Sequence, residues 1–397
     1  MNDHTPPMMI TLILLTAFSV VVQNMFLPSL SAMADDFGVT YAQANGLVAG
    51  FLVATAAVSF FLGPLSDYYG RRPVMLFALL VFCLATIGCI IVTEFWLFWI
   101  FRMIQTAVGA GLLLSRAILR DLFDDKAAAK KIAQLSMAMA VVPMLAPLFG
   151  GFLQESFGWR ASFVFFLIAG MGLLVWVWID LGETSHKEFK SLRAQIATYP
   201  TILKSWRFWG YTMTTSFSIG AFYAYLGAVP IIGEKLLGLP PSVVGLFLGV
   251  ITFGFFFGNF ASSKLSDRMS FPALMIIGRS ISFLGTGMGL LLVSLGIINP
   301  ITVLGFGVFA GLGNGLTIPV GNAGIMSVNP KLSGSASGLS AVVLLLISAL
   351  CSWASGWVAG QNIAAPTLPS ILVTVSAIGL GFAIFTHIAE KRAATRP

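Results

Sequence analysis

The chain alternates between long apolar runs and short polar interruptions. Six apolar runs lie near residues 9–29, 43–65, 73–92, 96–118, 131–153 and 161–181. A polar segment separates them from six more runs near 208–232, 241–263, 271–294, 299–322, 333–358 and 367–389. Each run is long enough for the roughly 20 residues that a helix needs to cross a bilayer. The pattern predicts an all-α integral membrane protein with twelve transmembrane helices.

The polar segment, residues 182–207, predicts a division into two halves of six helices each, residues 1–181 and 208–397. Leu65-Ser66-Asp67, after the second run, recurs as Leu265-Ser266-Asp267 after the eighth run. Six helices return a chain to the side on which it started. The two halves are therefore predicted to be parallel pseudo-repeats about an axis along the membrane normal, with a site between them.

The basic residues indicate how the chain is oriented. If both termini are cytoplasmic, seventeen of the 22 Lys and Arg residues lie on the cytoplasmic side, and only Arg160 and Lys235 lie outside. Arg102, Arg116 and Arg279 fall within the predicted helices. Cytoplasmic loops prefer Lys and Arg, so we expect a multi-pass protein of a bacterial-type inner membrane. The first run is not predicted to be a cleavable signal, because residues 1–8 contain no Lys or Arg.

The composition excludes several classes of protein. Only 9% of the residues are charged and 57% are hydrophobic, with a mean hydropathy of +0.93, which excludes a soluble enzyme. The net charge of +7 is explained by orientation in the membrane, so no nucleic-acid partner is predicted. The three cysteines lie in apolar runs without metal-binding spacing, and no phosphate-binding loop occurs. We therefore expect membrane lipid as surroundings, but no cofactor and no metal.

The connection after the second run carries a specific motif, G-x-L-x-D-x-x-G-R-R-P from Gly63 to Pro73. Gly63 is expected to permit close helix approach and Gly70 a backbone turn, while Asp67 pairs with an arginine or a helix N-terminus. This spacing resembles the cytoplasmic signature of the major facilitator superfamily. The resemblance implies a transporter rather than an enzyme, with Gly63, Asp67, Gly70, Arg71 and Arg72 in a cytoplasmic gate.

A second group of motifs resembles the bicyclomycin/chloramphenicol resistance (Bcr/CflA) branch of that superfamily. The segment Ala146-Pro-Leu-Phe-Gly-Gly151 is similar to the antiporter motif of drug exporters, in which Gly and Pro allow tight packing between the halves. The segment from Arg116 to Phe123 also resembles this branch. The resemblance implies export of drug-like molecules driven by proton entry. The further gating residues are Arg116, Arg120, Pro143, Pro147, Gly150, Gly151 and Asp267.

Arg102 leads the candidates for substrate binding. A charge in the membrane costs at least about 2.5 kcal/mol, so we expect it to face the bundle interior rather than lipid. A position near the outer edge, with the side chain reaching the interface, is the alternative. The other candidates are amide and aromatic side chains suited to an amphipathic molecule, although each is also compatible with helix packing: Gln23, Asn24, Phe26, Gln105, Tyr223, Tyr225, Asn314 and Asn322.

The first run departs from the Bcr/CflA pattern at one position. Asn24 stands where the branch usually has an acidic residue, and no Asp or Glu falls in the middle of any predicted helix. An amide cannot titrate, so the proton site must lie elsewhere. Three explanations remain: coupling through a carboxyl group at a helix end, namely Glu94, Glu234 or Asp35; a proton carried by the substrate; or uncoupled transport.

The leading hypothesis is a monomeric secondary transporter that exports small amphipathic compounds by alternating access. A cavity with Arg102 and no carboxylate favours a neutral or anionic substrate over a cation. The same features leave open uptake or facilitated transport of a small organic anion. A polytopic membrane enzyme is disfavoured, because the adjacent acidic pairs at 35–36 and 124–125 have no histidine nearby.

Overall fold

A computed structural model describes residues 7–184 and 199–394. These residues contain helices and connections but no strand. Twelve of the described helices are long and apolar enough to cross a membrane. They are α1 (Met9–Phe37), α2 (Tyr41–Tyr69), α3 (Arg71–Ile91), α4 (Phe95–Leu122), α5 (Lys130–Phe157), α6 (Arg160–Asp180), α7 (Trp206–Leu236), α8 (Pro241–Leu265), α9 (Phe271–Ser294), α10 (Ile301–Ser327), α11 (Ser333–Gln361) and α12 (Thr367–Arg392). The predicted fold class is confirmed.

The first helix extends further than its apolar run predicts. The α-helical hydrogen bonding of α1 is interrupted at Leu27–Ser29, where a short 3-10 turn contains Pro28, and it resumes over Leu30–Phe37. Asp35 and Asp36 end the apolar run, but they do not end the helix. It ends at Gly38, whose φ of 62° is a left-handed conformation that glycine adopts without strain.

The two halves have matching internal contacts. In the first half, α1 packs on α4 and α5, and α3 packs on α6. In the second half, α7 packs on α10 and α11, and α9 packs on α12. Adding six to each helix number of the first set gives the second set, which is the arrangement of two parallel repeats. Most of the polar segment predicted at 182–207 lies outside the described residues, so its boundaries stay a prediction.

The halves meet mainly through two helix pairs, α5 with α8 and α2 with α11. These pairs are related by the same pseudo-repeat. We call them the seam. Its residue contacts join the end of α5 near Gly151 to the start of α8, and the start of α2 near Asn45 to the end of α11. The seam therefore lies on the side of the molecule opposite the chain termini.

Candidate transport site and gates

A cluster of charges joins three helices and the segment after α6 on the side that holds the termini. Arg71 Nη1 lies 2.6 Å from Asp67 Oδ1, and Arg71 Nε lies 2.9 Å from Asp121 Oδ2. The backbone N–H of Arg71 donates to Glu183 Oε1 at 2.9 Å. Because these groups come from α2, α3, α4 and the segment after α6, the cluster locks the termini-side ends of the first half together.

Gly70 makes this cluster possible. Its φ of 101° is in the left-handed region, and an added Cβ would lie 2.3 Å from Glu183 Oε2. The missing side chain lets the Glu183 carboxylate approach the first amides of α3, where the helix dipole favours negative charge. Arg72 adds a bond from Nη2 to the carbonyl oxygen of Trp178, 2.9 Å away. By contrast, nothing lies within 4 Å of an added Cβ at Gly63, so the expected close helix approach there is absent.

The second copy of the repeated triplet differs from the first. Asp267 is exposed, and it forms no ion pair with any residue that the structure describes. Arg116 and Arg120 are also exposed, on the termini-side part of α4. Their gating roles stay predictions, whereas the contacts around Asp67 provide a physical basis for its role.

Close backbone contact forms the α5–α8 part of the seam. A Cβ on Gly151 would lie 2.2 Å from the carbonyl oxygen of Pro241, and a Cβ on Gly245 would lie 2.3 Å from that of Pro147. The helices can approach this closely only because both positions are glycine. Gly150 faces the opposite way, toward the Met25 carbonyl of its own half. Pro143 lies half-buried inside α5, one helical turn before Pro147.

Polar contacts join α2 to α11 at the seam and to α7 beside it, and the sequence did not single out their residues. The amide Nδ2 of Asn45 donates to the Ser352 carbonyl at 2.7 Å, and the hydroxyl of Tyr41 donates to the Gly227 carbonyl at 2.8 Å. Asn45 and Tyr41 are both buried. The amide of Asn45 near the start of the apolar run of α2 was the available signal, because a buried polar group in a membrane needs a partner.

Two predicted binding residues meet across the halves. Gln23 Nε2 on α1 donates to the hydroxyl of Tyr223 on α7, 2.8 Å away. Gln23 follows Val22, whose carbonyl oxygen accepts a hydrogen bond from Arg102 Nη2 at 2.8 Å. The Arg102 guanidinium thus holds α1 beside the residue that reaches the other half.

Arg102 itself is fully buried in the first half. Its Nη1 donates to Gln105 Oε1 at 2.7 Å, and Gln105 Nε2 donates to the Thr86 hydroxyl at 2.8 Å. The guanidinium carbon lies 4.2 Å from the ring centroid of Phe26 and 4.5 Å from that of Phe51. Arg102 therefore faces the bundle interior, as predicted. Its role as a substrate ligand stays a prediction.

Asn24 and most candidates of the second half also form hydrogen bonds within the protein, and Asn322 lies on a helix surface. Asn24 Nδ2 donates back to the Val20 carbonyl, 2.9 Å away, and the side chain is buried. Asn314 Oδ1 accepts from Arg279 Nη2 at 2.6 Å. The Tyr225 hydroxyl donates to the carbonyl oxygens of α8 and α10, and Asn322 is exposed on α10. The predicted binding set is thus divided among the α1–α7 contact between the halves, the two cores and a helix surface.

Arg279 is a second buried arginine, which the sequence located in a helix but did not assign to the site. It is fully buried between α9 and α10, and its Nε donates to the Thr317 hydroxyl at 3.2 Å. Each of the two arginines keeps one guanidinium nitrogen without a hydrogen-bond partner, Nε of Arg102 and Nη1 of Arg279. Neither forms an ion pair within the described part of the chain.

The three candidate proton carriers differ in their surroundings. Glu94 is exposed in the α3–α4 connection. Asp35 is exposed and lies 2.7 Å from Lys235 Nζ, an ion pair that crosses from α1 to α7. Glu234, next to that lysine, is half-buried in the π-helical end of α7, and its Oε1 is buried without a hydrogen-bond partner.

Comparison with known proteins decides the family. A family model described as Major Facilitator Superfamily matches residues 12–350, which is most of the chain. The chain belongs to the Major Facilitator Superfamily. It is therefore a multi-pass membrane transporter of a small molecule, and not an enzyme.

Curated relatives of this facilitator include several resistance proteins. A bicyclomycin resistance protein homolog of Haemophilus influenzae is 28% identical over 82% of this chain and 83% of its own length. Multidrug resistance protein D of Escherichia coli is 25% identical, with 84% of each chain covered. Chloramphenicol resistance protein CraA of Acinetobacter baumannii is 28% identical over 69% of this chain and 67% of its own. The predicted resemblance to the Bcr/CflA branch is confirmed.

Solved structures support the fold of the facilitator. A bacterial homolog of the lysosomal transporter Spinster, in an inward-facing and occupied conformation, superposes with a TM-score of 0.72. It is 17% identical in sequence, with 96% of this chain and 94% of that chain covered. A D-xylose-proton symporter gives a TM-score of 0.70 at 15% identity, over 95% and 96% of the two chains.

Proposed function

We propose that this facilitator exports small amphipathic compounds, neutral or anionic, across a bacterial inner membrane by alternating access coupled to proton entry. Both termini lie in the cytoplasm in this proposal, and the functional unit is a monomer. The distribution of Lys and Arg supports the orientation. The chain alternates between the conformation described here and one in which the seam is open.

The observation that carries the proposal is the one-sided seam. Backbone packing at Gly151 and Gly245, together with the polar contacts of Asn45 and Tyr41, joins the halves on the side away from the termini. With the termini in the cytoplasm, this seam closes the outer side, so a substrate enters from the cytoplasm. Opening the seam then releases the substrate outside.

The substrate class is inferred from charge and from the relatives. Every described Asp or Glu lies in a connection or within about two residues of a helix end. Arg102 and Arg279 are buried, and neither has a carboxylate partner within the described chain, which favours a positive potential in the interior. A positive interior disfavours cations. The resistance proteins among the relatives, whose names refer to bicyclomycin, chloramphenicol and multiple drugs, support drug-like compounds.

Glu234 is the carboxyl group whose position best suits proton coupling. Asp35 already pairs with Lys235, and Glu94 is exposed to its surroundings, whereas one oxygen of Glu234 is buried without a partner beside the seam. A buried carboxylate oxygen without a partner is costly when the group is charged. Binding a proton removes that cost, and so does hydration when the seam opens. The occupancy of this proton site therefore depends on the state of the seam.

The proposal is tested by drug accumulation in bacterial cells that express the chain. We expect lower accumulation of neutral and anionic amphipathic drugs than in control cells, with no change for cationic dyes. Glu234→Gln at equal expression is expected to remove the dependence on the proton gradient, whereas Glu94→Gln is expected to keep it. Equal accumulation of every drug in the two kinds of cell would contradict export.

Uptake of a small organic anion is the second candidate function. The two buried arginines without carboxylate partners favour it, since they attract anions whatever the direction of transport. In the same cells, uptake would increase the accumulation of an anionic compound above that of control cells. The sign of the change therefore separates the two functions.

A further inference from the structure

Two cavities meet where α7 begins and α12 ends, on the surface of the second half at its termini side. The first has a volume of about 570 Å³, and the polar side chains around it are Lys204, Ser205, Arg207 and Arg392. The second has a volume of about 480 Å³ and is lined almost entirely by apolar groups, including Trp209, Met213, Gly381 and Phe382. Trp206 and Phe385 line both cavities, so the two form one continuous groove.

The mouth of the groove is basic. Among the described residues, Lys204, Arg207 and Arg392 line the first cavity and no carboxylate does. Arg207 Nη2 lies 2.9 Å from Glu390 Oε1, so part of its charge is compensated from behind the mouth. Lys204 and Arg392 are exposed side chains at the mouth. The mouth therefore carries a positive charge that complements an anion.

The groove has the length of one membrane leaflet. It runs along α12 from Arg392 at the mouth to Ile378 in the apolar cavity. Those fourteen residues rise about 21 Å along a helix axis, which is close to half of a bilayer including its headgroups. Phe382 lines the wall, and its ring stacks on Phe217 with centroids 5.6 Å apart and an interplanar angle of 9°. A basic mouth at the interface leads to an apolar channel that ends near the bilayer centre.

We propose that this groove binds an anionic phospholipid. Its phosphate lies between Lys204 and Arg392, and one acyl chain follows the surface of Trp206, Trp209 and Phe382 toward Ile378. Basic pockets between transmembrane helices are known headgroup sites for such lipids. Because α7 and α12 belong to the same half, the lipid anchors the second half without bridging to the first. Binding is therefore independent of the transport cycle.

The test is native mass spectrometry of the full-length protein in detergent, with equal amounts of phosphatidylglycerol and phosphatidylcholine added. We expect the protein to retain phosphatidylglycerol preferentially. Lys204→Gln with Arg392→Gln is expected to reduce the retained phosphatidylglycerol at least fivefold. The control, Lys264→Gln with Arg268→Gln, removes the same charge at the α8–α9 connection and is expected to change little. An equal loss in both double variants would overturn the site.

A second variant tests the apolar part of the groove. Nothing lies within 4 Å of an added Cβ at Gly381, so Gly381→Phe fills the groove without disturbing the helix packing. We expect it to lower phosphatidylglycerol retention while every basic residue stays in place. Gly172→Phe places the same ring at another open position, on α6, and is the control. Full retention in Gly381→Phe would show that the acyl chain lies elsewhere, and that result would also overturn the proposal.

Discussion

At the scale of single residues, the molecule depends on a few charged groups whose partners decide their roles. Arg71 bonds to Asp67 and Asp121, and its amide bonds to Glu183, so one side chain and its backbone connect three helices and the segment after α6. Asp267 has the same place in the second half but no ion pair within the described residues. The repeated triplet therefore has different contacts in the two halves.

Because Asp67 and Asp267 differ in their contacts, the same substitution at each position tests the gating role of the Arg71 cluster. Asp67→Asn removes a charge from the Arg71 cluster, so we expect the maximal rate of transport to fall about tenfold, or about 1.4 kcal/mol. Substrate affinity is expected to stay within about twofold, because the cluster lies at the termini-side end of the helices. Asp267→Asn, which breaks no described ion pair, is expected to keep most of the rate. The measurement is initial flux in vesicles together with equilibrium substrate binding. A loss of affinity in Asp67→Asn would contradict the gating role.

The two buried arginines provide a second comparison. Arg102→Ala leaves the Val22 carbonyl and Gln105 without their donor, and Arg279→Ala does the same to Asn314. We expect each variant to lose about 2 kcal/mol of stability, which lowers the melting temperature by roughly 2 °C. Only Arg102→Ala should also weaken substrate binding, because Arg102 holds α1 beside Gln23. Equal weakening of substrate binding in both variants would contradict this positioning role of Arg102.

At the scale of helices, glycines decide where the halves can pack closely. Gly151 and Gly245 place α5 and α8 in backbone contact at the seam, and Asn45 bonds α2 to α11. The pseudo-repeat relates these two helix pairs, and close contacts hold the halves together in each pair. Side-chain volume at these positions therefore controls whether the outer side can close.

Gly151→Val tests this control of closure. Its branched side chain cannot fit 2.2 Å from the Pro241 carbonyl, so we expect α5 and α8 to separate. Spin labels near the ends of these helices should then show a longer distance, and transport should fall. Gly172→Val adds the same volume at an open position of α6 and is expected to change neither measurement. An unchanged α5–α8 distance in Gly151→Val would mean that the seam tolerates the extra volume.

The helices themselves could be predicted from the sequence, because apolar length decides whether a segment crosses a bilayer. All twelve predicted runs correspond to helices. The sequence did not show which polar side chains would meet, since that depends on helix rotation and tilt. Gln23 and Tyr223 meet, but Tyr225, two residues further along α7, faces the core of its own half. Asn45 and Tyr41 were missed because nothing in the chain marks which half they contact.

At the scale of the whole molecule, the structure consists of two similar halves whose described residues meet mainly at the seam. The seam and the Arg71 cluster lie at opposite ends of the same helix bundle. Alternating access requires that the seam and the termini-side gate open in turn. The buried arginines lie in the cores of the two halves, and Glu234 lies beside the seam. A proton that binds at Glu234 therefore acts where the halves separate.

The most direct test of coupled export uses the purified protein in liposomes with an imposed pH gradient, an internal pH dye and a panel of neutral, anionic and cationic drugs. We predict that neutral or anionic drugs move against the direction of proton entry, and that Glu234→Gln abolishes the accompanying proton movement. Drug flux that proceeds without any proton movement in the unmodified protein would contradict proton-coupled export and would indicate uncoupled, facilitated transport.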